Sequence, residues 1–93
     1  MINENIESET LQRLRKVEGQ IKGIGKMIGE RRYCVDVVLQ IAAAEGALHR
    51  VAEIVLRNHI ETCVATAFRS SNEEDRKQKV DELMEIYGKL RVK

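Results

Sequence analysis

Cys34, His59 and Cys63 are the residues whose types and spacing point most directly to chemistry. His59 and Cys63 stand four residues apart, which on a helix puts an imidazole and a thiolate on one face. Such a pair is a soft chelate for a transition metal. Cys34 would add a second thiolate. If residues 34–63 form one helix, however, its sulfur lies roughly 37 Å from His59, at about 1.5 Å per residue. One chain cannot close that site. A second copy running antiparallel can, and a twofold axis would close it twice per dimer. Two thiolates and an imidazole favour Cu(I), with Zn(II) and Ni(II) still open, and three donors suit Cu(I) better than a four-ligand structural zinc site. Singly the residues say less: a lone cysteine usually behaves as a small hydrophobe, and a lone histidine as a surface or capping residue. His49 lies ten residues from His59, outside chelating range on one helix.

The elements that must position these residues are helical. The chain lacks proline and tryptophan and is rich in Leu, Ile, Val, Ala, Glu, Lys and Arg, an all-α profile. Leu11, Leu14, Val17, Ile21, Ile24 and Ile28 recur at three- and four-residue steps, which predicts a first helix over 9–29 with Gly29 as its stop. Gly19, Gly23 and Gly25 within it predict close approach by a neighbouring helix. A second, long helix is expected over 33–69, apolar almost all round between Val35 and Ala44. Ala42, Ala43, Ala44, Gly46 and Ala47 lie about midway between Cys34 and the His59/Cys63 pair, where an antiparallel copy would cross. Ser71 and Glu74 read as a capping box opening a third helix over 72–91, with Val80, Leu83, Met84, Tyr87 and Leu90 on one face. Residues 1–93 thus form a single helical domain, three helices with a long central one, paired into an antiparallel four-helix core.

Ninety-three residues are few for a self-sufficient core, and association would relieve the shortage. The N-terminal ten residues are polar and acidic, unlike a signal or transit peptide. No apolar run approaches the ~20 residues needed to span a bilayer. Two widely spaced cysteines without a signal point to a reducing cytoplasm and no membrane. There is no P-loop, Gly-x-Ser-x-Gly, His-Glu-x-x-His or Cys-x-x-Cys motif, so no enzyme and no small-molecule substrate are expected. The formal net charge of +1 is unevenly spread: residues 11–32 carry seven Lys/Arg against two acids. A solvated helix face and a nucleic-acid footprint are both open readings.

The segments Leu14-Arg15-Lys16-Val17-Glu18-Gly19-Gln20, Arg32-Tyr33-Cys34-Val35-Asp36, Gln40-Ile41-Ala42-Ala43 and His59-Ile60-Glu61-Thr62-Cys63 together resemble the copper-sensing CsoR/RcnR family of bacterial repressors, over roughly residues 10–90. The Cys-x24-His-x3-Cys spacing resembles its copper-sensing branch in particular. The resemblance implies a homotetramer, a dimer of antiparallel four-helix-bundle dimers, which binds double-stranded operator DNA without a helix-turn-helix and is released by Cu(I), derepressing copper-resistance genes. It implies Cys34, His59 and Cys63 as the metal ligands, with Cys34 donated across the dimer, and Tyr33 and Glu82 as partners that couple His59 to conformation. It implies Arg13 and Arg50 at the DNA, with Arg15, Lys16, Lys22, Arg31 and Arg32 adding to the positive surface.

Departures from the other branches narrow the inducer. Nickel and cobalt sensors of the family use a histidine near the N-terminus, and residues 1–10 hold none. Persulfide sensors lack the histidine, and formaldehyde sensors lack the second cysteine. The alternatives are a thiol- or persulfide-responsive or Ni(II)-responsive repressor of the same family, and a copper-buffering helical protein with no DNA role.

Overall fold

The computed structural model describes residues 2–69 and 72–90, with side chains at all of these except Cys63, Val64 and Ala67. Helix α1 runs Glu4–Gly29, starting at Glu4 rather than near residue 9. Its first turn is held by a cap rather than by the apolar stripe. Asn3 is extended, its Oδ1 accepts from the Ile6 N–H at 3.0 Å, and Glu4 and Glu7 sit at the positive helix end. Thr10, buried, donates its hydroxyl to the Ile6 carbonyl at 2.7 Å.

The other end of α1 differs from the expected glycine stop. Gly29 is still helical, and the left-handed residue is Arg31, at φ 55°. The Arg32 N–H reaches the Met27 carbonyl and the Arg31 N–H the Ile28 carbonyl, both at 3.0 Å. Those two bonds are a Schellman closure with Arg31 in the position glycine usually takes.

Helix α2 runs Cys34–His59. Tyr33 sits at its entrance, its carbonyl accepting from the Val37 N–H at 3.2 Å, and Asp36 places an acid in the first turn. Residues Ile2–Leu56 form one compact unit. Its core is Val17 on α1 with Ala44, Val51 and Ile54 on α2. That core is thin: Ile21, Ile28, Val35, Val38, Leu39 and Leu48 are each at least half exposed. The glycines depart from expectation within the chain. A Cβ built at Gly19, Gly23, Gly25 or Gly46 meets nothing within 4 Å, so no helix of the same chain comes close there.

Residues from Arg57 onward cluster as a second compact unit. The long α-helix expected over 33–69 is interrupted by a π-helical turn, Ile60–Val64, in which the Ala65 N–H reaches back five residues to the Ile60 carbonyl. Two threonines account for the change. Thr62 donates its hydroxyl to the Asn58 carbonyl at 2.8 Å and Thr66 to the Thr62 carbonyl at 2.6 Å. Hydroxyls bonded back onto the preceding turn compete with the regular ladder and bend it, and β-branched Ile60 and Thr62 crowd the same stretch. Helix α3 follows, Ala65–Arg69, and then α4, Glu73–Lys89, which packs on α3 and on the π turn. Asn72 is the N-cap of α4, its Oδ1 accepting from the N–H groups of Glu74 and Asp75 at 3.0 and 3.3 Å. The expected box on Ser71 lies outside the described residues. No residue of α4 is fully buried; Leu83 and Ile86 are half-buried, while Met84 and Tyr87 are exposed. Among the described residues no helix is long and apolar enough to cross a membrane.

Candidate metal centre and basic face

His59 closes α2, and α4 brings Glu82 to it. The imidazole Nε2 lies 3.4 Å from Glu82 Oε1, with the two side chains 27% and 39% exposed. Nε2 itself is buried and is not aligned for a hydrogen bond, so the pair is an electrostatic contact short of a directed bond. The other oxygen of Glu82 is 3.8 Å from Lys79 Nζ, one turn earlier on α4. Lys79 was not among the residues singled out from sequence. Its i,i+3 spacing to Glu82 is ordinary surface-helix patterning and becomes informative only once His59 is seen on the other side of the carboxylate.

Cys34 is the first residue of α2, a free and exposed thiol. Cys34 and His59 therefore terminate the same 26-residue helix. Cys63 falls in the π turn, and its side chain lies outside the description. Among the described residues no group of three or more His, Cys, Asp or Glu side chains of one chain is placed to hold a metal ion. Tyr33, 69% exposed, lies beside Cys34 in sequence at the start of α2. The structure thus brings His59 and Glu82 together and leaves Tyr33 and Cys34 at the opposite terminus of α2. His49 is half-exposed, its Nε2 3.8 Å from Glu53.

The expected DNA-facing residues fall on α1, the following turn and α2. Arg15, Lys16, Lys22, Arg31, Arg32 and Arg50 are exposed. Arg13 is half-exposed, its Nη2 3.5 Å from Glu9, and Arg32 lies 3.8 Å from Glu30. Arg13 and Lys16 also line a groove of about 400 Å³ with Glu9, Gln12, Gln20 and Ala47.

Residues 7–89 match the model of a family of metal-sensitive transcriptional repressors. The chain belongs to that family. Members are regulators of transcription, so this chain is not an enzyme. Among similar proteins, the copper-sensing transcriptional repressor CsoR of Bacillus subtilis is 40% identical over 78 residues, covering 84% of this chain and 74% of that protein. The crystal structure of the copper-sensing repressor CsoR with Cu(I) from Geobacillus thermodenitrificans superposes with a TM-score of 0.85 at 34% identity, over 96% of this chain and 90% of that one. The nickel-responsive transcriptional regulator InrS superposes with a TM-score of 0.74 at 35% identity, over 89% and 90%. These likenesses show the all-α repressor fold, with α1, the helical run from α2 through the π turn into α3, and α4.

Proposed function

We propose that this chain is a Cu(I)-responsive repressor that holds operator DNA when metal-free and releases it when Cu(I) binds, turning on copper-resistance genes in the cytoplasm. The observation that carries the reading is the His59–Glu82 contact. A ligating imidazole commonly gives its second ring nitrogen to a carboxylate, which fixes the ring and its tautomer. Nε2 of His59 is buried and faces Glu82, which leaves Nδ1 as the donor toward a metal. The thiols of Cys34 and Cys63 complete a soft set that fits Cu(I).

Cys34 and His59 sit at opposite ends of α2, so the trio closes only between two chains. Exposed Ile21, Ile28, Val35, Val38, Leu39 and Leu48 and the open space over Gly46 support an antiparallel partner on that face, assembling into the dimer and then the tetramer. Bound Cu(I) would link Cys34 of one protomer to His59 and Cys63 of its partner. In the chain itself, the Glu82 carboxylate on α4 lies 3.4 Å from the His59 ring, so reorienting the ring on metal binding would be felt at α4. Because copper and DNA then bias one equilibrium, DNA weakens copper binding by the same factor as copper weakens DNA binding.

Arg13, Arg15, Lys16, Lys22, Arg31, Arg32 and Arg50 supply the contacts to double-stranded DNA, chiefly to phosphates. Operator affinity measured with and without one Cu(I) per protomer tests the mechanism, and unchanged affinity sinks it. The exposed thiol of Cys34 favours one second reading, a switch in which Cys34 and Cys63 are linked by oxidant or reactive sulfur. Replacing His59 cripples a copper sensor and spares a dithiol switch. The likeness to a nickel-responsive regulator makes Ni(II) the control metal in the same titration.

A further inference from the structure

The groove beside Arg13 holds two polar atoms in an unusual state. Arg13 Nε and Gln20 Oε1 are both buried and have no hydrogen-bond partner among the described residues, and both residues line the groove with Glu9, Gln12, Lys16 and Ala47. Buried donors and acceptors are costly unless a partner meets them, so the groove favours a polar occupant. Two cations, one carboxylate and two amides make the lining positive, so the occupant is anionic. The Gln20 amide can present either its oxygen or its NH₂ to the groove, since the two ends are interchangeable by rotation. With NH₂ turned inward, Arg13, Lys16 and Gln20 offer donors on successive turns of α1.

The groove meets the face assigned to a second copy only at Ala47, and its α1 lining points elsewhere. At about 100° per residue, Glu9, Arg13, Lys16 and Gln20 fall within roughly 60° of one another, about 100° round the helix from Ile21 and Ile28. We propose that this groove seats a backbone phosphate of duplex DNA, that Arg13 exchanges its Glu9 carboxylate for the phosphate, and that Gln20 donates a second hydrogen bond to it. Glu9, 3.5 Å from Arg13 in the free chain, acts as a competitor that lowers affinity for DNA of any sequence. Gln20 is a positioning residue that sequence reading passed over, because a glutamine on a polar helix face carries no signal of its own.

The inference rests on the DNA-binding reading, and its test keeps the two apart. A duplex is first selected from a random-sequence library by the metal-free wild-type protein; if none is retained at moderate salt, the repressor reading fails. With a retained duplex in hand, anisotropy titrations compare variants across salt, each checked for an unchanged thermal melt and sedimentation mass. Glu9→Gln is expected to tighten both the selected and a scrambled duplex roughly two- to fivefold, the scale of one exposed ion pair, with the salt slope kept. Gln20→Ala is expected to weaken both about threefold or more, and Arg13→Ala to lower the log–log salt slope by about 0.9, one phosphate's share. No gain with Glu9→Gln, or wild-type binding by Gln20→Ala, overturns the seat. So does a Gln20→Ala protein whose association state changes, because the groove would then be part of a protein interface.

Discussion

Between Ile2 and Leu56 the chain closes both ends of α1 with defined caps and buries Thr10, Val17, Ala44, Val51 and Ile54; between Arg57 and Lys93 the buried set among the described side chains is Asn58 alone. The first unit carries Cys34 and the basic groups from Arg13 to Arg50 that the proposed function places at DNA. The second carries His59 and Glu82, a π turn and a helix with no fully buried residue. Elements with few buried apolar groups open and shift most readily. On the proposed function the difference separates two tasks. The unit with the larger buried set presents the DNA-facing charges and Cys34, and the unit with fewer buried groups carries His59 and Glu82, where structure can respond to a bound metal.

The sharpest way to break that division is to remove a ligand. Cys34→Ala and His59→Ala are each expected to abolish copper-induced release, collapsing a coupling on the order of 5–150-fold to none, while the metal-free protein keeps its operator affinity. Parallel Cu(I) titrations and DNA-binding isotherms read both numbers. A His59→Ala protein that still lets go of DNA on oxidation, while Cys34→Ala does not, moves the switch from copper to sulfur. Next in size is Glu82→Gln. Removing the carboxylate charge beside Nε2 is expected to lower Cu(I) affinity about 10–100-fold, again with DNA binding of the metal-free protein preserved. A copper affinity equal to wild type would leave the His59–Glu82 contact a surface pairing with no part in sensing.

How much of this arrangement was legible beforehand depends on the kind of force involved. The ligand types, the helices and the family could be read because side-chain chemistry and periodicity are written residue by residue. The start of α1 at Glu4 was missed because Asn3, a cap, has no apolar periodicity. The π turn was hidden because Thr62 and Thr66 look like tolerable helix residues until their hydroxyls are seen bonding backward. Gly19, Gly23 and Gly25 read as a close approach by a neighbouring helix, and no helix of the same chain supplies it. The contact of Glu82 with His59 came from the family resemblance, since no sequence pattern joins positions 23 residues apart on different helices.

Smaller effects separate the units by stability instead of function. Asn72 satisfies two N–H groups at the start of α4, and Asn72→Ala is expected to cost about 1 kcal/mol of helix stability. Hydrogen exchange should rise in α4 and not in α1. Because α4 carries Glu82, copper-induced release should weaken while metal-free DNA affinity holds. Equal destabilisation of both units would show that they unfold as one.

An effect of the same size is expected to run the other way. Arg31 holds a left-handed backbone at φ 55° in a Schellman position that glycine fills without strain. Arg31→Gly is therefore expected to stabilise the fold by about 1 kcal/mol, or roughly 4–8 °C in Tm for a domain of this size. The comparison must be made at fixed protomer concentration, since association shifts Tm by itself. Arg31→Ala removes the same guanidinium but keeps the strain, so it separates charge from backbone. If Arg31 contacts DNA, both variants lose operator affinity alike and only the glycine gains stability. Strained residues persist where the side chain is needed. A glycine variant that is more stable and binds DNA as well as wild type would leave the strain at this turn without a functional reason.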